Sequence, residues 1–361
     1  PGMVAYVRKL VVEQKGWLTA EEFKDGVALC QVIPGATAIQ VVAYAGLRAR
    51  GVRGALLSFL GFGLPAFLLM LSFAALYANT RSLPGVAAAF SGLQAIIVAV
   101  VANAALMFGR ATLKKWSHAG IALLSALLFA LDINPLLVLL AAVCVSLVLL
   151  RQTGTSAAPP STVRFPSTWA AVLGMLALYA LGLLVLFAFR RQLFDLSLLF
   201  FRIDLTAFGG GYASVPLMYH EIVETRGWLD SLTLMDGIVL GQVTPGPIVI
   251  TATFVGFLLA GLPGSLVATV SIFLPSFLLV VGIAPYFEHL RHSPLFQKIV
   301  AGVLCSFVGL LVTVTFRFAL NLHWDLAHAL LAAGSLAALL LKVDILWVVL
   351  CGACLSILLF L

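Results

Sequence analysis

Charge is what this sequence has least of. Of 361 residues, 10% are charged while 62% are hydrophobic. Soluble domains carry about 25% charged and about 45–50% apolar residues, and a folded globule must still present a wet exterior. A water-soluble fold is therefore excluded, and the bilayer is the solvent for most of the chain. Acidic residues are scarcer than basic ones, 14 against 21. The basic residues stand singly or in small groups between long apolar runs, as loops of membrane proteins do. That distribution excludes a nucleic-acid surface despite the net charge of +7. Cysteine is sparse too: Cys30, Cys144, Cys305, Cys351 and Cys354. Cys351 and Cys354 make a CxxC, but no second pair or nearby His completes a zinc or redox site. Small packing residues are the expectation. His118, His289, His292, His323 and His328 have no metal-site spacing. There is no phosphate-binding Walker loop, no HExxH and no Ser-His-Asp arrangement. An enzyme, a metal and a cofactor are not expected.

Apolar length is what the chain has in abundance. Spans of about 20 residues cross a bilayer, and 53–77, 84–109, 169–189, 264–288 and 295–320 qualify. Regions 118–150 and 324–361 each hold two shorter helices, interrupted at Asp132-Ile133-Asn134-Pro135 and at Lys342-Val343-Asp344. Another apolar helix is expected over Leu193–Phe208. The fold class is an all-α membrane protein, a polytopic helical bundle. Segment 151–168 is rich in Ser, Thr, Pro and Gly and reads as an aqueous linker. It divides the chain into 1–150 and 169–361.

The two parts repeat each other. Gly16-Trp17-Leu18 recurs as Gly227-Trp228-Leu229, Asp25-Gly26 as Asp236-Gly237, Gln31 as Gln242 and Pro34-Gly35 as Pro245-Gly246, all at an offset of 211. At 210, Gly46 matches Gly256, Gly54 matches Gly264, and Pro65-Ala66-Phe67 matches Pro275-Ser276-Phe277. Asp132-Ile133 is matched with Asp344-Ile345. Pro1 aligns with Tyr212, so the first copy is expected to lack about one leading helix that the second copy has. Basic residues also change sides. Arg48, Arg50 and Arg53, then Arg110, Lys114 and Lys115, mark one side of the first copy; Arg291 and Lys298 mark the other side of the second. By the positive-inside rule the copies are inverted repeats, a recurring build of secondary transporters.

Three elements could carry function. Phe208-Gly209-Gly210-Gly211-Tyr212 ends an apolar helix, where three glycines weaken a helix by about 1 kcal/mol each. Successive glycines let N–H groups converge on an anion; close helix packing is the alternative. Gln242-Val243-Thr244-Pro245-Gly246-Pro247 divides two stretches too short to span alone, and Gln31-Val32-Ile33-Pro34-Gly35-Ala36-Thr37 repeats the break. Pro removes donors and ends helices, so each motif should join two half-helices inside the membrane. Discontinuous helices at matching points of two halves point to a substrate site, because the second half-helix offers free N–H groups and a positive dipole end to an anion. A kink without ligand is the alternative. The candidate binding residues are Gly209, Gly210, Gly211, Gln242, Thr244, Pro245, Gly246, Pro247, Gln31, Pro34 and Gly35. Asp25 and Asp236 precede the breaks in apolar runs, and ionisable residues at that depth are costly and functional. They are candidates for proton coupling, or else interfacial caps. Asp132 and Asp344 could serve similarly, but their turn positions favour caps; Arg202 could pair with Asp204 or face the anion, with pairing or snorkelling preferred. The amphipathic stretches Val4–Glu13 and Ser214–Arg226 read as interfacial, with solvated charges on His220, Glu221, Glu224 and Arg226. Thr19-Ala20-Glu21-Glu22 fits a capping box.

At these motifs the chain resembles the chromate ion transporter family. The matching residues are Phe208-Gly209-Gly210-Gly211-Tyr212-Ala213, Pro216-Leu217, Gly227-Trp228-Leu229, Asp236-Gly237 and Gln242 through Pro247. In the first half they are Pro1-Gly2, Gly16-Trp17-Leu18, Phe23, Asp25-Gly26 and Pro34-Gly35. The likeness covers both halves and looks like the long, two-domain form. It implies a secondary transporter that exports chromate across a prokaryotic inner membrane, driven by membrane potential or proton gradient, with chromate resistance as the outcome. Sulfate, similar in shape, is the natural competitor, another oxyanion or small organic anion is the alternative substrate, and a membrane-embedded enzyme or scaffold subunit is the remaining, less favoured class. The expected partners are the oxyanion and the lipid bilayer; a homo-oligomer is compatible with the sequence. One departure is that Ala36 stands where the second half has Pro247.

Overall fold

The protein is described here by a computed structural model covering residues 2–150, 168–287 and 293–361; the linker residues 151–167, with Pro1, His289, Arg291 and His292, lie outside the described residues. Among the described residues there are fourteen α-helices and no strand. The first copy runs α1 (Gly2–Arg8), a wide π turn (Lys9–Gln14), α2 (Ala20–Val32), α3 (Thr37–Thr80), α4 (Pro84–Thr112), α5 (Trp116–Ala130) and α6 (Pro135–Leu149). Next come α7 (Trp169–Phe189) and α8 (Arg191–Thr206). The second copy restarts with α9 (Ser214–Met218) and a π turn (Tyr219–Thr225). It continues with α10 (Ser231–Val243), α11 (Thr251–Ile283), α12 (Pro294–Leu320), α13 (Leu326–Leu340) and α14 (Ile345–Phe360). Five helical segments are long and apolar enough to cross a membrane, and the short apolar pairs α5–α6 and α13–α14 flank them.

α3 and α11 fold back on themselves. The backbone leaves the helical region at Arg50 and Gly51 and again at Ala260 and Gly261, where Gly51 has φ 63° and Gly261 φ 60°. Combined with ψ of −155° and −148°, such a φ is open essentially to glycine alone. Ser58 Oγ donates to the Val42 carbonyl at 3.0 Å, and the Thr253 and Thr269 hydroxyls are 2.7 Å apart. Residues sixteen apart on a straight helix would be separated by about 24 Å. Each element is thus a hairpin, with arms 37–49 and 52–80 in one copy and 251–259 and 262–283 in the other. Gly46 lies on Gly54 and Gly256 on Gly264, backbone against backbone, so a methyl group at any of the four would strike a partner carbonyl. Small residues let helices approach this closely.

The copies interlock reciprocally. α3 packs on α11; α4 packs on α13 and α14, and its counterpart α12 packs on α5 and α6. Ser356 Oγ donates to the Ala88 carbonyl at 2.5 Å, and its counterpart Ser146 Oγ donates to the Lys298 carbonyl at 3.0 Å. Such exchange of equivalent contacts is the mark of a two-fold relation. α7 touches α8 and α11 and is otherwise exposed.

The structure corrects one register. Asp132 and Lys342 share a positive φ, 60° and 67°. Asn134 and Asp344 share the capping role, accepting from the Leu136 and Leu346 N–H groups at 2.9 Å. Asp132 therefore corresponds to Lys342 and the offset stays at 210. The cap read at Asp132 is made by Asn134 instead, because Asp132 lies before the N-cap position and its carboxylate takes the Arg317 guanidinium at 2.6 Å.

Candidate functional site

Both first half-helices begin with a side-chain cap. Glu22 N–H donates to Thr19 Oγ1 at 3.2 Å while Thr19 N–H donates to Glu22 Oε2 at 2.8 Å, the expected capping box. Thr233 N–H donates to Asp230 Oδ1 at 2.8 Å at the start of α10. Both helices then stop as the chain turns extended, at Ile33 (ψ 150°) and Thr244 (ψ 140°). The second half-helices start differently. Neither Ala36, before α3, nor Pro247, before the short 3₁₀ turn Ile248–Ile250 that leads into α11, supplies a side-chain acceptor. The first N–H groups of a helix have no partner within it and look to side chains, water or ligand.

The glycine triplet lies between these two starts. α8 ends at Thr206, and the Ala207 carbonyl accepts the Gly35 N–H at 2.9 Å, tying the first break to the end of α8. Gly209 and Gly210 then take φ 94° and 96°. A methyl group on Gly210 would sit 3.1 Å from Thr37 Oγ1, and one on Gly211 would sit 2.7 Å from Ile248. Thr37 opens the short arm of α3 and Ile248 opens the segment before α11. Gly209 faces Phe108 of α4 and Leu304 of α12. The triplet thus joins the first residues of both second half-helices at one place.

Of the other residues expected at the site, Gln242 accepts from the Tyr212 hydroxyl at 3.3 Å, and its shielded Nε2 has no acceptor. Thr244 Oγ1 donates to the Gly241 carbonyl at 2.9 Å. Gly246 rests against Ala66, Pro247 is buried and Pro245 is exposed. In the first break Pro34 and Gly35 are buried, with Gly35 at φ 111°, whereas Gln31 is exposed. The structure thus brings the triplet, both breaks and Gln242 together and leaves Gln31 outside the cluster.

The two aspartates differ. Asp236 is buried and accepts from Tyr77 Oη at 2.8 Å and Gln94 Nε2 at 2.9 Å, which fasten α10 to α3 and α4. Asp25 is half-buried. A second buried carboxylate, Asp204, accepts from the Ser276 N–H at 2.8 Å and its Oγ at 2.7 Å. Ser276 Oγ also accepts from Ala36 N–H at 3.0 Å, and Gln40 Nε2 donates to the Pro34 carbonyl at 2.6 Å. Gln40, Gln94, Tyr77 and Ser276 were not singled out from sequence. The available signal was a polar amide inside an otherwise apolar span, since unsatisfied polar groups are costly there.

Arg202 does not pair with Asp204. It turns to Glu221 at 3.8 Å, and Arg226 reaches Glu221 at 3.5 Å. Of the charges of Ser214–Arg226, Glu224 and Arg226 are exposed as a solvated face would have them, but they are paired. Glu224 pairs with Arg317 and takes His220 Nδ1 at 3.0 Å, and His220 is itself buried. The π turn packs this stretch against the bundle, and charges withdrawn from water need partners. Two apolar crevices, about 420 Å³ between α3, α7 and α11 and about 460 Å³ between α7, α8 and α11, are lined by residues such as Phe59, Met175 and Phe273. They offer an oxyanion almost no donor. All five cysteines are free, and among the described residues no cluster of His, Cys, Asp and Glu could hold a metal ion.

These features define a multi-pass helical membrane protein whose interior is organised around paired helix breaks, a build found in secondary transporters. The family described as Chromate transporter matches residues 1–147 and 194–357. An uncharacterised transporter of Methanocaldococcus jannaschii is 41% identical over 355 residues, 97% of this chain and 88% of that protein. A probable chromate transport protein of Synechococcus elongatus is 32% identical, covering 85% of this chain and 77% of its own. A chromate transport protein of Cupriavidus metallidurans is 30% identical, covering 94% and 82% respectively. No solved structure matches the chain. The chain belongs to the chromate transporter family.

Proposed function

We propose that this chain carries chromate out of a prokaryotic cell across its inner membrane, with chromate resistance as the consequence. The observation that supports a dianion site most directly is the meeting of two uncapped helix starts at Gly209–Gly211. Two positive dipole ends and their N–H groups converge there, and a triplet without side chains admits a tetrahedral ligand closely. Gln242 Nε2, a shielded donor with no acceptor, adds a further contact. The reciprocal packing of the copies, with the switch of basic residues between them, supports an inverted arrangement in the membrane. Alternating access then follows from rocking one copy against the other. Asp236 is the proposed proton-coupling carboxylate in α10, with Asp25 as its counterpart in α2.

The test is uptake of radiolabelled chromate, and in parallel sulfate, into inverted membrane vesicles. Gly210→Leu and Gly246→Leu should abolish chromate uptake while membrane insertion stays intact. Wild-type rates in both would remove the breaks from the site, and preference for sulfate would replace the substrate. Asp236→Asn should flatten the pH dependence of uptake; an unchanged profile takes Asp236 out of the coupling.

A further inference from the structure

We infer that Asp204, Gln40 and Ser276, with the Pro34 carbonyl, form a buried site for one monovalent cation, a proton or a sodium ion, at the first helix break. Asp204 and Gln40 are both 0% exposed. Asp204 Oδ2 takes both hydrogen bonds from Ser276, at 2.8 and 2.7 Å, and Oδ1 takes none. Gln40 must turn its NH₂ toward the Pro34 carbonyl, 2.6 Å away, because two facing oxygens would repel. That fixes Oε1 as the other end of the amide, and it too has no donor. Ser276 Oγ is fully used: it donates to Asp204 and accepts from Ala36 N–H at 3.0 Å, with Gln40 Nε2 at 3.5 Å.

Two bare oxygens, one belonging to a carboxylate, are therefore shielded in one cluster. An uncompensated buried charge is among the least favourable arrangements in a protein. Among the described residues no basic side chain is shown paired with it. α11 and α9 carry no ionisable residue and neither do 33–36. On α8, Arg202 is drawn to Glu221 and Arg191 to Asp195, each at 3.8 Å. Tyr179 of α7 spends its hydroxyl on Ser197 at 2.9 Å. A proton on Oδ1 or a sodium ion held by carboxylate, amide and peptide oxygens completes the site, and unwound backbone is where transporters place such ions.

The site sits on the segment that leads into the anion cluster. Three residues after Asp204, the Ala207 carbonyl holds the Gly35 N–H at 2.9 Å, and Gly209–Gly211 follow. Cation occupancy removes the charge that opposes packing of α8 on the break, and so steadies the triplet against Thr37. Anion binding and cation binding then raise each other's affinity by the same factor. This link to the anion rests on the transport reading above; the cation site itself does not.

The test uses the purified full chain. Thermal stability is measured without any anion, with sodium exchanged for choline at fixed pH, and across pH without sodium. Wild type should be stabilised by one of the two, and Asp204→Asn should lose that response beyond the pH dependence Asp236 contributes. The responding arm identifies the ion. Chromate binding is then titrated under the same conditions, and wild-type affinity should rise at least fivefold with the cation, the low end of ordinary coupling. Stabilisation without a change in chromate affinity keeps the cation site and overturns its link to the anion. No response to either cation, or a full response in Asp204→Asn, overturns the site. If Asp204→Asn does not fold, Gln40→Leu, which removes one bare oxygen together with the hydrogen bond to the Pro34 carbonyl, should weaken the cation response of stability, and an undiminished response refutes the proposal.

Discussion

The two helix breaks share a backbone and differ in their contents. The first break is polar: Gly35 is packed among Ser276, Gln40 and Asp204. The second is apolar at the same place, where Gly246 rests on Ala66, the counterpart of Ser276. The carboxylates before the breaks show the reverse asymmetry. Asp236 is held by Tyr77 and Gln94, whereas the residues 210 positions on from that pair are Phe287 and Leu304. The two breaks thus share a geometry that brings two helix starts toward one point while differing in the side chains around them.

The comparison is broken most strongly at the glycines. Gly35→Ala forces a side chain into a positive φ, which costs about 1–2 kcal/mol, and drives its methyl group to 2.7 Å from Gln40 Nε2. Vesicle uptake should fall to background. Gly246→Ala meets only Ala66 Cβ, at 2.7 Å and with an ordinary φ, so partial activity should remain and Ala66→Gly should restore it. Equal loss in both variants would contradict the asymmetry.

The next effect lies at the ends of the long helices. Arg317 of α12 joins Glu224, Asp132 and the Phe129 carbonyl, and its counterpart in α4 is the exposed Met107. Arg317→Met takes the shared cation from Asp132 and from Glu224, which keeps only His220, and should lower the midpoint of thermal unfolding in detergent. Met107→Leu should leave that midpoint in place.

The carboxylate cage comes third. Tyr77→Phe removes a hydrogen bond to a buried carboxylate and should cost about 1.5–3 kcal/mol. Phe287→Tyr, its counterpart in the other copy, should gain nothing comparable; denaturation of the two variants side by side decides this. The smallest effect sharpens the likeness of the copies rather than their difference. Thr19→Ala and Asp230→Ala each delete one cap and should each cost about 1 kcal/mol. A large inequality between them would mean that α2 and α10 do not start in equivalent settings.

Much of this was legible in the chain itself. The spans and their breaks followed from apolar length and from Pro-Gly, and the Thr19 box and Asp344 cap follow local rules that need no tertiary information. The hairpins in α3 and α11 were harder to read, because one glycine at positive φ reverses a helix without the usual cluster of turn residues. Arg202 misled because Asp204 is near in sequence, while its partner Glu221 lies on another element. The Asp204–Ser276–Gln40 cluster joins three distant segments, so no spacing could announce it.

By itself, the sequence determined that the chain is membrane-embedded, duplicated and interrupted at two matching points, since hydropathy, offset and proline chemistry are properties of the string. Tertiary structure alone decided which polar groups meet. The copies interlock, so each break is completed by residues more than 170 positions away, and only folding brings Ser276 to Gly35 or Ala66 to Gly246.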